Sequence, residues 1–295
     1  MIDLHVHSNF SDGSSSIEEL LKEAQVRQLS LLSITDHNVV HAYKKLAKHN
    51  VRELFQGKII SGIEVTTSVD GEIIEILGYG FNPQKLQEEM KDKVLSYEDY
   101  KIKEFSLVKN NYKQKGIIFR EDNVNFDPKV EGCRVKLFDE LFQHEENVCR
   151  LLNMSSRETL SRFTRDEFYN PKSDFYVDQS LIYPSLKDSI EMIHNAGGLV
   201  FLAHPLEFSK NISDNLQNII DRYEFDGLEC YYSTFTEEQT KYLLDLCQKN
   251  NLLVSGGSDY HGKKRVGIEL GVGDGTLNIE YDQCAKLLDK IKNYF

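Results

Sequence analysis

Five short islands along the chain set metal-ligand side chains beside one another: Asp3-Leu4-His5-Val6-His7 with Asp12, Thr35-Asp36-His37, Gly62-Ile63-Glu64, Ala203-His204-Pro205, and Asp259-Tyr260-His261. Imidazoles and carboxylates without thiolate suit Zn, Mn or Fe(II), whereas an all-oxygen set would suit Mg or Ca. Adjacent cations of this kind favour phosphoester hydrolysis. A bridging water loses its proton near neutral pH, the hydroxide attacks phosphorus in line, and the ions stabilise the phosphoryl oxygens and the departing alkoxide. The islands together read as a polynuclear metal site.

Secondary structure must deliver these side chains to one place. Residues two apart in a strand share a face, so His5 and His7 are expected to grip one ion, and Asp259 and His261 to do the same from the far end of the chain. The other islands follow the apolar runs Leu29 to Ile34, Lys58 to Ile63 and Leu199 to Ala203. Each then places its His or Glu at the C-terminal end of a strand, where the active sites of α/β barrels lie. Five of the nine histidines fall on such positions; His41, His49, His144 and His194 do not, and are read as surface or helix-face residues.

The islands, in this order, resemble the PHP (polymerase and histidinol phosphatase) family: Asp3 to Ser8 with Ser11-Asp12-Gly13, then Thr35-Asp36-His37, Gly62-Ile63-Glu64, Ala203-His204-Pro205 and Gly257 to Gly262. The resemblance implies a distorted seven-stranded (β/α) barrel and a metal-dependent phosphoric ester hydrolase with two or three divalent ions. It implies one ion at His5, His7, Glu64 and Asp259, a second shared between Glu64 and His204, and a third at Asp12, His37 and His261. Asp259 and His261 also become candidates for protonating the leaving oxygen. In one place the chain departs from the family, which carries a histidine ligand where Glu75 stands in Ile74-Glu75-Ile76-Leu77. Either the carboxylate takes over as ligand, or Glu75 turns to solvent and the second ion is weakened.

Further text, Ile76-Leu77-Gly78-Tyr79, Tyr183 to Leu186, Ile193 to Gly198 and Leu202 to Pro205, is similar to the branch that includes nucleoside 3′,5′-bisphosphate phosphatases and short-RNA 5′ exonucleases. That branch implies Arg134 and Lys172 as residues that clasp a second phosphate. Ser8, Ser11 and Asn38 lie next to ligands, where they are expected to bond phosphate or to orient the metal shell. The expected substrate is a small phosphorylated nucleotide or the 5′ end of a short RNA. The alternatives are a phosphatase for another metabolite such as histidinol phosphate, or a non-catalytic metal-stabilised module.

The net charge of −12 argues against broad capture of nucleic acid, which needs a basic surface, so no stable DNA binding is expected. A phosphate substrate remains compatible, because divalent ions make a local positive site in an acidic protein. No stretch approaches the roughly 18 apolar residues of a membrane span. Asp3-Leu4-His5 follows the first residues without a basic segment and apolar run, so a cytoplasmic protein is expected. The five cysteines are scattered without a C-x-x-C pair, which predicts reduced thiols.

The α/β reading alternates elements. Ser16 and Glu19 form a capping-box pattern opening a helix to about Gln28, followed by strand Leu29 to Ile34, helix Val40 to Lys48, and strands Ile59 to Glu64 and Ile73 to Tyr79. The β-α-β rhythm predicts parallel strands. It resumes with a helix ending at Ala196-Gly197-Gly198, strand Leu199 to Ala203, helix Ser213 to Tyr223, strand Gly227 to Tyr231, helix Glu237 to Lys249 and strand Leu252 to Ser255. Residues 1–82 and 182–295 are assigned to a discontinuous barrel. Residues 83–181, including helical text at Leu86 to Lys115 and Val135 to Arg165, are assigned to an inserted, mainly helical subdomain expected over the barrel mouth.

Overall fold

A computed structural model describes residues 1–47 and 51–291, Tyr97 by its main chain only. The chain divides into two compact units. The first comprises Met1–Val69, Ile73–Val94 and Pro184–Phe295; the second, Asp70–Glu72 and Leu95–Tyr183.

The first unit is a nearly closed, barrel-shaped sheet of seven strands in sequential order: β1 (Ile2–Asp3), β2 (Leu31–Ile34), β3 (Lys58–Val69), β4 (Glu72–Tyr79), β5 (Leu199–Leu202), β6 (Gly227–Tyr232) and β7 (Leu253–Gly257). Closure comes from the chain beyond β1, where Leu4 N donates to Gly256 O at 3.3 Å and His7 N to Tyr260 O at 2.9 Å. Gly257 permits that approach, since a Cβ there would stand 2.3 Å from His5 N.

The strands β1 to β3 run parallel, as do β5 to β7, but β4 pairs antiparallel with β5, Ile76 opposite Leu202. The all-parallel expectation fails here. Between β3 and β4 lie Asp70 and Gly71, with φ of 52° and 82°, the left-handed pair of a two-residue hairpin turn. No crossover helix intervenes, so β4 must reverse.

Alternation along the strands builds two apolar layers. Leu32, Ile59, Ile76, Val200 and Leu228 pack with the helices, whereas Leu31, Ile60, Leu77 and Phe201 form a second cluster with Leu253, Leu277, Ile279 and Leu287. Each such residue contributes about 1.5–3 kcal/mol on burial. Glu64 shares the face of Ile60, Glu75 that of Leu77, and Glu229 lies opposite the helix-packed Leu228, so the second layer ends in carboxylates.

Helices cover the outer layer. Ile17–Val26 opens with the expected capping box: Glu19 N donates to Ser16 Oγ at 3.3 Å and Ser16 N to Glu19 Oε2 at 2.7 Å. The next helix spans His41–Leu46; Lys48 and His49 lie outside the described residues. Helices Leu186–Asn195, Leu216–Arg222 and Glu237–Asn250 occupy the remaining expected positions.

The second unit has its own aromatic core around Tyr112, Phe163, Phe168 and Phe175. The expected helical stretch from Leu86 is split. Pro83–Met90, capped by Asn82, places Leu86 in the core of the first unit, and Ser96 caps a separate helix, Tyr97–Lys115. Val135 to Arg165 likewise breaks into Cys133–Leu141, Glu145–Val148, Met154–Arg157, Leu160–Phe163 and a π-turn over Thr164–Phe168. All five cysteines are free thiols, four of them buried. No helix among the described residues is long and apolar enough to cross a membrane.

Candidate metal centre

Every island residue expected as a ligand reaches one continuous cluster in the first unit. In its innermost group, His5 Nε2 lies 3.1 Å from His7 Nε2, 3.2 Å from Glu64 Oε2 and 3.3 Å from Asp259 Oδ1. His7 Nε2 stands 3.1 Å from the same Glu64 oxygen and 3.2 Å from the same Asp259 oxygen. Tetrahedral Zn–N and Zn–O bonds of about 2.0–2.1 Å put ligand atoms about 3.3 Å apart, so the four atoms are spaced as the corners of such a site. Protons alone fit less well, because several acceptors share each ring nitrogen.

A second group joins His7, Asp12, His37 and His261, with His261 Nε2 3.2 Å and His37 Nε2 3.7 Å from the Asp12 carboxylate. A third joins His37, Glu64 and Glu75. His204 Nε2 adds to it, 3.0 Å from Glu64 Oε1 and 3.4 Å from Glu75 Oε2. Glu64 is thus shared, one oxygen facing His5, His7 and His37 and the other facing His204. Among the described residues, Nδ1 of His7, His37 and His204 is buried without a hydrogen-bond partner. Glu75 turns into the cluster, its side chain 26% exposed, with Oε1 3.6 Å from His37 Nδ1.

The structure departs from two expectations of spacing. Asp259 and His261 join different groups: neither lies in a strand, and Asp259 has φ of 55°, so the two-residue rule does not apply. Glu64 sits in the middle of β3 rather than at its end, because β3 continues to Val69 as a hairpin arm. Asn38, His204 and Asp259 all take positive φ, of 56°, 22° and 55°. Such backbone persists only where surrounding contacts hold it.

Hydrogen bonds from neighbouring residues tie the islands together. Asp36 accepts from Ser8 N at 2.7 Å, Ser8 Oγ at 2.6 Å and Ser11 Oγ at 2.7 Å, fixing the loop that carries Asp12. Asp3 accepts from His5 N, Ser258 N, Ser258 Oγ and Gly271 N, tying the first island to the last. Tyr232 Oη donates to Asp259 Oδ2 at 2.8 Å and Arg265 Nη1 donates to the same oxygen, leaving Oδ1 for the histidines. Asn38 holds Thr66, accepting from its N–H at 3.1 Å. The signal for Asp3 and Asp36 was their place inside the islands. For Glu229 it was a charge in the apolar run Leu228-Glu229-Cys230.

The charges of the cluster are interdependent. Burial alone would raise the Glu64 and Asp259 carboxyls; the neighbouring imidazoles, His5 foremost, outweigh it and hold both well below the usual range. Asp12 is likewise lowered against burial, by His37, His261 and His7. Glu75 is raised by burial and by the Glu64 charge. Burial would lower His7 and His204, yet hydrogen bonds and charges from the carboxylates lift them to about 10 and about 9. Asp259 is therefore disposed as an ionised ligand rather than a proton donor. His261 donates from Nδ1 to Asp259 O at 2.9 Å, which turns its Nε2 toward Asp12.

The other described histidines have other partners. His194 Nε2 bonds Asp226 at 2.8 Å, His144 Nε2 bonds Glu140 at 3.2 Å, and the His41 ring lies edge-on to Phe10. Arg134 and Lys172 belong to the second unit. There Arg134 donates to Tyr169 Oη at 2.8 Å and pairs with Glu104 at 3.4 Å, while Lys172 is exposed.

Comparison with known proteins agrees with this geometry. The chain is 26% identical over 261 residues to a 5′-3′ exoribonuclease of Haemophilus influenzae, covering 88% of this chain and 89% of the relative. It is 24% identical over 280 residues to a 3′,5′-nucleoside bisphosphate phosphatase of Chromobacterium violaceum, covering 92% and 90%. A phosphoribosyl 1,2-cyclic phosphate 1,2-diphosphodiesterase of Eggerthella lenta is also 24% identical, over 265 residues, covering 88% and 94%. Among solved structures, a chain from Bifidobacterium adolescentis described as a metal-dependent phosphoesterase shares the fold with a TM-score of 0.68, 23% identity and coverage of 99% and 96%. The PHP domain model matches residues 3–227, which span most of the barrel's ligand islands, and the chain belongs to the PHP domain family.

Proposed function

We propose that this metal-dependent phosphoesterase of the PHP family hydrolyses phosphate esters of small nucleotides, a nucleoside 3′,5′-bisphosphate or the 5′ end of a short RNA. The observation that carries the reading is the continuous ligand cluster centred on Glu64, whose two oxygens face separate sets of imidazoles. Relatives named for these substrates align over about nine-tenths of their own length, which supports the nucleotide class.

The residues divide the work. His5, His7, Glu64 and Asp259 would hold one ion, Glu64, Glu75 and His204 a second, and Asp12, His37 and His261 a third, with His7 and His37 placed where each faces two groups. Mn, Zn and Fe(II) suit this donor set. Divalent ions there supply Lewis acidity and a nucleophile at neutral pH. Glu64 and Asp259 stay ionised and fix the ligand polyhedron, while Asp36 holds the Ser8 to Asp12 loop. We place the activity in the cytoplasm.

The test is phosphate release by purified protein reconstituted with Mn, Zn or Fe(II). The panel comprises nucleoside 3′,5′-bisphosphates, mononucleotides, a 5′-phosphorylated short RNA, a ribose cyclic phosphate and histidinol phosphate, with Asp259→Asn as control. Release from the bisphosphate or RNA that the substitution abolishes is expected. Preference for histidinol phosphate or the cyclic ester would replace the substrate class, and no release with ions bound would establish the non-catalytic module.

A further inference from the structure

Glu229, on β6, is completely buried and belongs to none of the three ligand groups. Burying a carboxylate is costly unless its charge and lone pairs are used. Glu229 Oε1 accepts from His5 Nδ1 at 2.9 Å, and Oε2 accepts from His204 N at 2.8 Å. Among the described residues, His5 is its one ion-pair partner.

The two contacts act on different ligands. A His5 ring that donates from Nδ1 keeps its lone pair on Nε2, the atom that faces His7, Glu64 and Asp259 at 3.1–3.3 Å. The bond to His204 N holds the backbone just beyond β5, where His204 has φ of 22° and its Nε2 points at the other oxygen of Glu64. One carboxylate thus sets the tautomer of a ligand on one side of Glu64 and the backbone of a ligand on the other. Both groups facing it are donors, so only an acceptor with two oxygens satisfies them together.

We propose that Glu229 is a positioning residue that fixes His5 and His204 together and thereby sets the affinity of two neighbouring metal positions at once. The proposal rests on the reading of the cluster as a metal centre. Partners of this kind, one shell out from a metal, typically change affinity by about 10–100-fold when altered. Glutamine at this position keeps one acceptor but turns an amide N–H toward the other donor, so one contact is lost; aspartate keeps both oxygens but is one methylene short.

The experiment is a Co(II) titration of full-length wild type, Glu229→Gln and Glu229→Asp, read by visible absorption, beside thermal melts in excess chelator. Expected is a loss of about 10–100-fold in affinity at two positions for Glu229→Gln. An altered Co(II) spectrum and a smaller loss for Glu229→Asp should accompany it. Long-range 1H–15N spectra of the zinc-loaded wild type are expected to show His5 protonated at Nδ1, a readout that no variant's folding can confound. Wild-type affinity and spectrum in Glu229→Gln, a lowered melt with unchanged affinity, or His5 protonated at Nε2 would each overturn the proposal. Wild type that binds no Co(II) would instead refute the metal-centre reading on which it stands.

Discussion

Metal binding to this cluster should be an exchange of cations for protons. His7 and His204, lifted to about 10 and about 9, are protonated at pH 7.5 in the metal-free protein, and His5 is raised as well, the charges of Glu229, Glu64 and Asp259 together outweighing its burial. A ligating imidazole must be neutral. Glu64 and Asp259 are already ionised and release nothing. Loading the group of His5, His7, Glu64 and Asp259 at pH 7.5 therefore expels about two protons, and apparent affinity should climb by about a hundredfold per pH unit around neutrality, the His7 share ending near pH 10. The position at His204 should expel about one and climb about tenfold per unit to near pH 9. The metal-free fold moves the opposite way. A histidine raised above its unfolded value of about 6.5 contributes its full stability below that pH and loses it as pH rises through the folded value. For His7 the shift amounts to about 5 kcal/mol between pH 6.5 and 10, a substantial share of a typical domain's stability. Calorimetric titration with Zn or Mn in two buffers of equal pH but different ionisation enthalpy counts the protons. A count near zero at pH 7.5, or an affinity flat from pH 6.5 to 9, would refute the reasoning.

Two further outcomes follow from named contacts. Tyr43 Oη donates to Ile34 O at 2.6 Å and accepts from Gly62 N at 2.7 Å, joining β2 to β3 beside the ligand islands. Tyr43→Phe leaves buried backbone groups unpaired and should cost about 1–3 kcal/mol in urea unfolding of the metal-free protein; no change would mean those groups find other partners. Glu75→Gln removes an anionic donor facing His204 and His37, so ion stoichiometry should fall by one at concentrations that saturate the wild type, whereas Glu75→His should retain it. Unchanged stoichiometry and affinity in Glu75→Gln would show that this carboxylate is not a ligand.

Much of the fold and cluster was legible because the site is built from residue types rare in apolar surroundings. Short runs such as Leu199 to Leu202 announce strands, and His204, a ligand type just beyond one, announces a strand end. What failed was inference about direction and phase. The Asp70-Gly71 pair signals a hairpin, yet the α/β rhythm around it suggested another parallel strand, and the local turn chemistry prevailed. The apolar run that stops at Ile63 points to a strand end at Glu64, but β3 goes on through Thr66 and Thr67, which suit a strand without being apolar. Arg265 was illegible for a different reason: it reaches Asp259 from a loop, and no periodicity points to such a contact.

The same residues explain how an acidic chain can act on an anionic substrate. With a net charge of −12, its overall field repels phosphate. Within the cluster, Glu64, Glu75, Asp12 and Asp259 are matched against five imidazoles, and protons or divalent ions set the balance. Each ion that displaces two singly charged protons leaves the net charge unchanged, but an ion that displaces one or none adds positive charge. At His204 about one proton leaves, so charge gain is expected there, while the group of His5 and His7 remains near balance. Phosphate attraction would then be concentrated beside His204 and would appear only when that position is filled. That is selectivity for a small anion at one point, and the opposite of a surface that captures polynucleotide along its length.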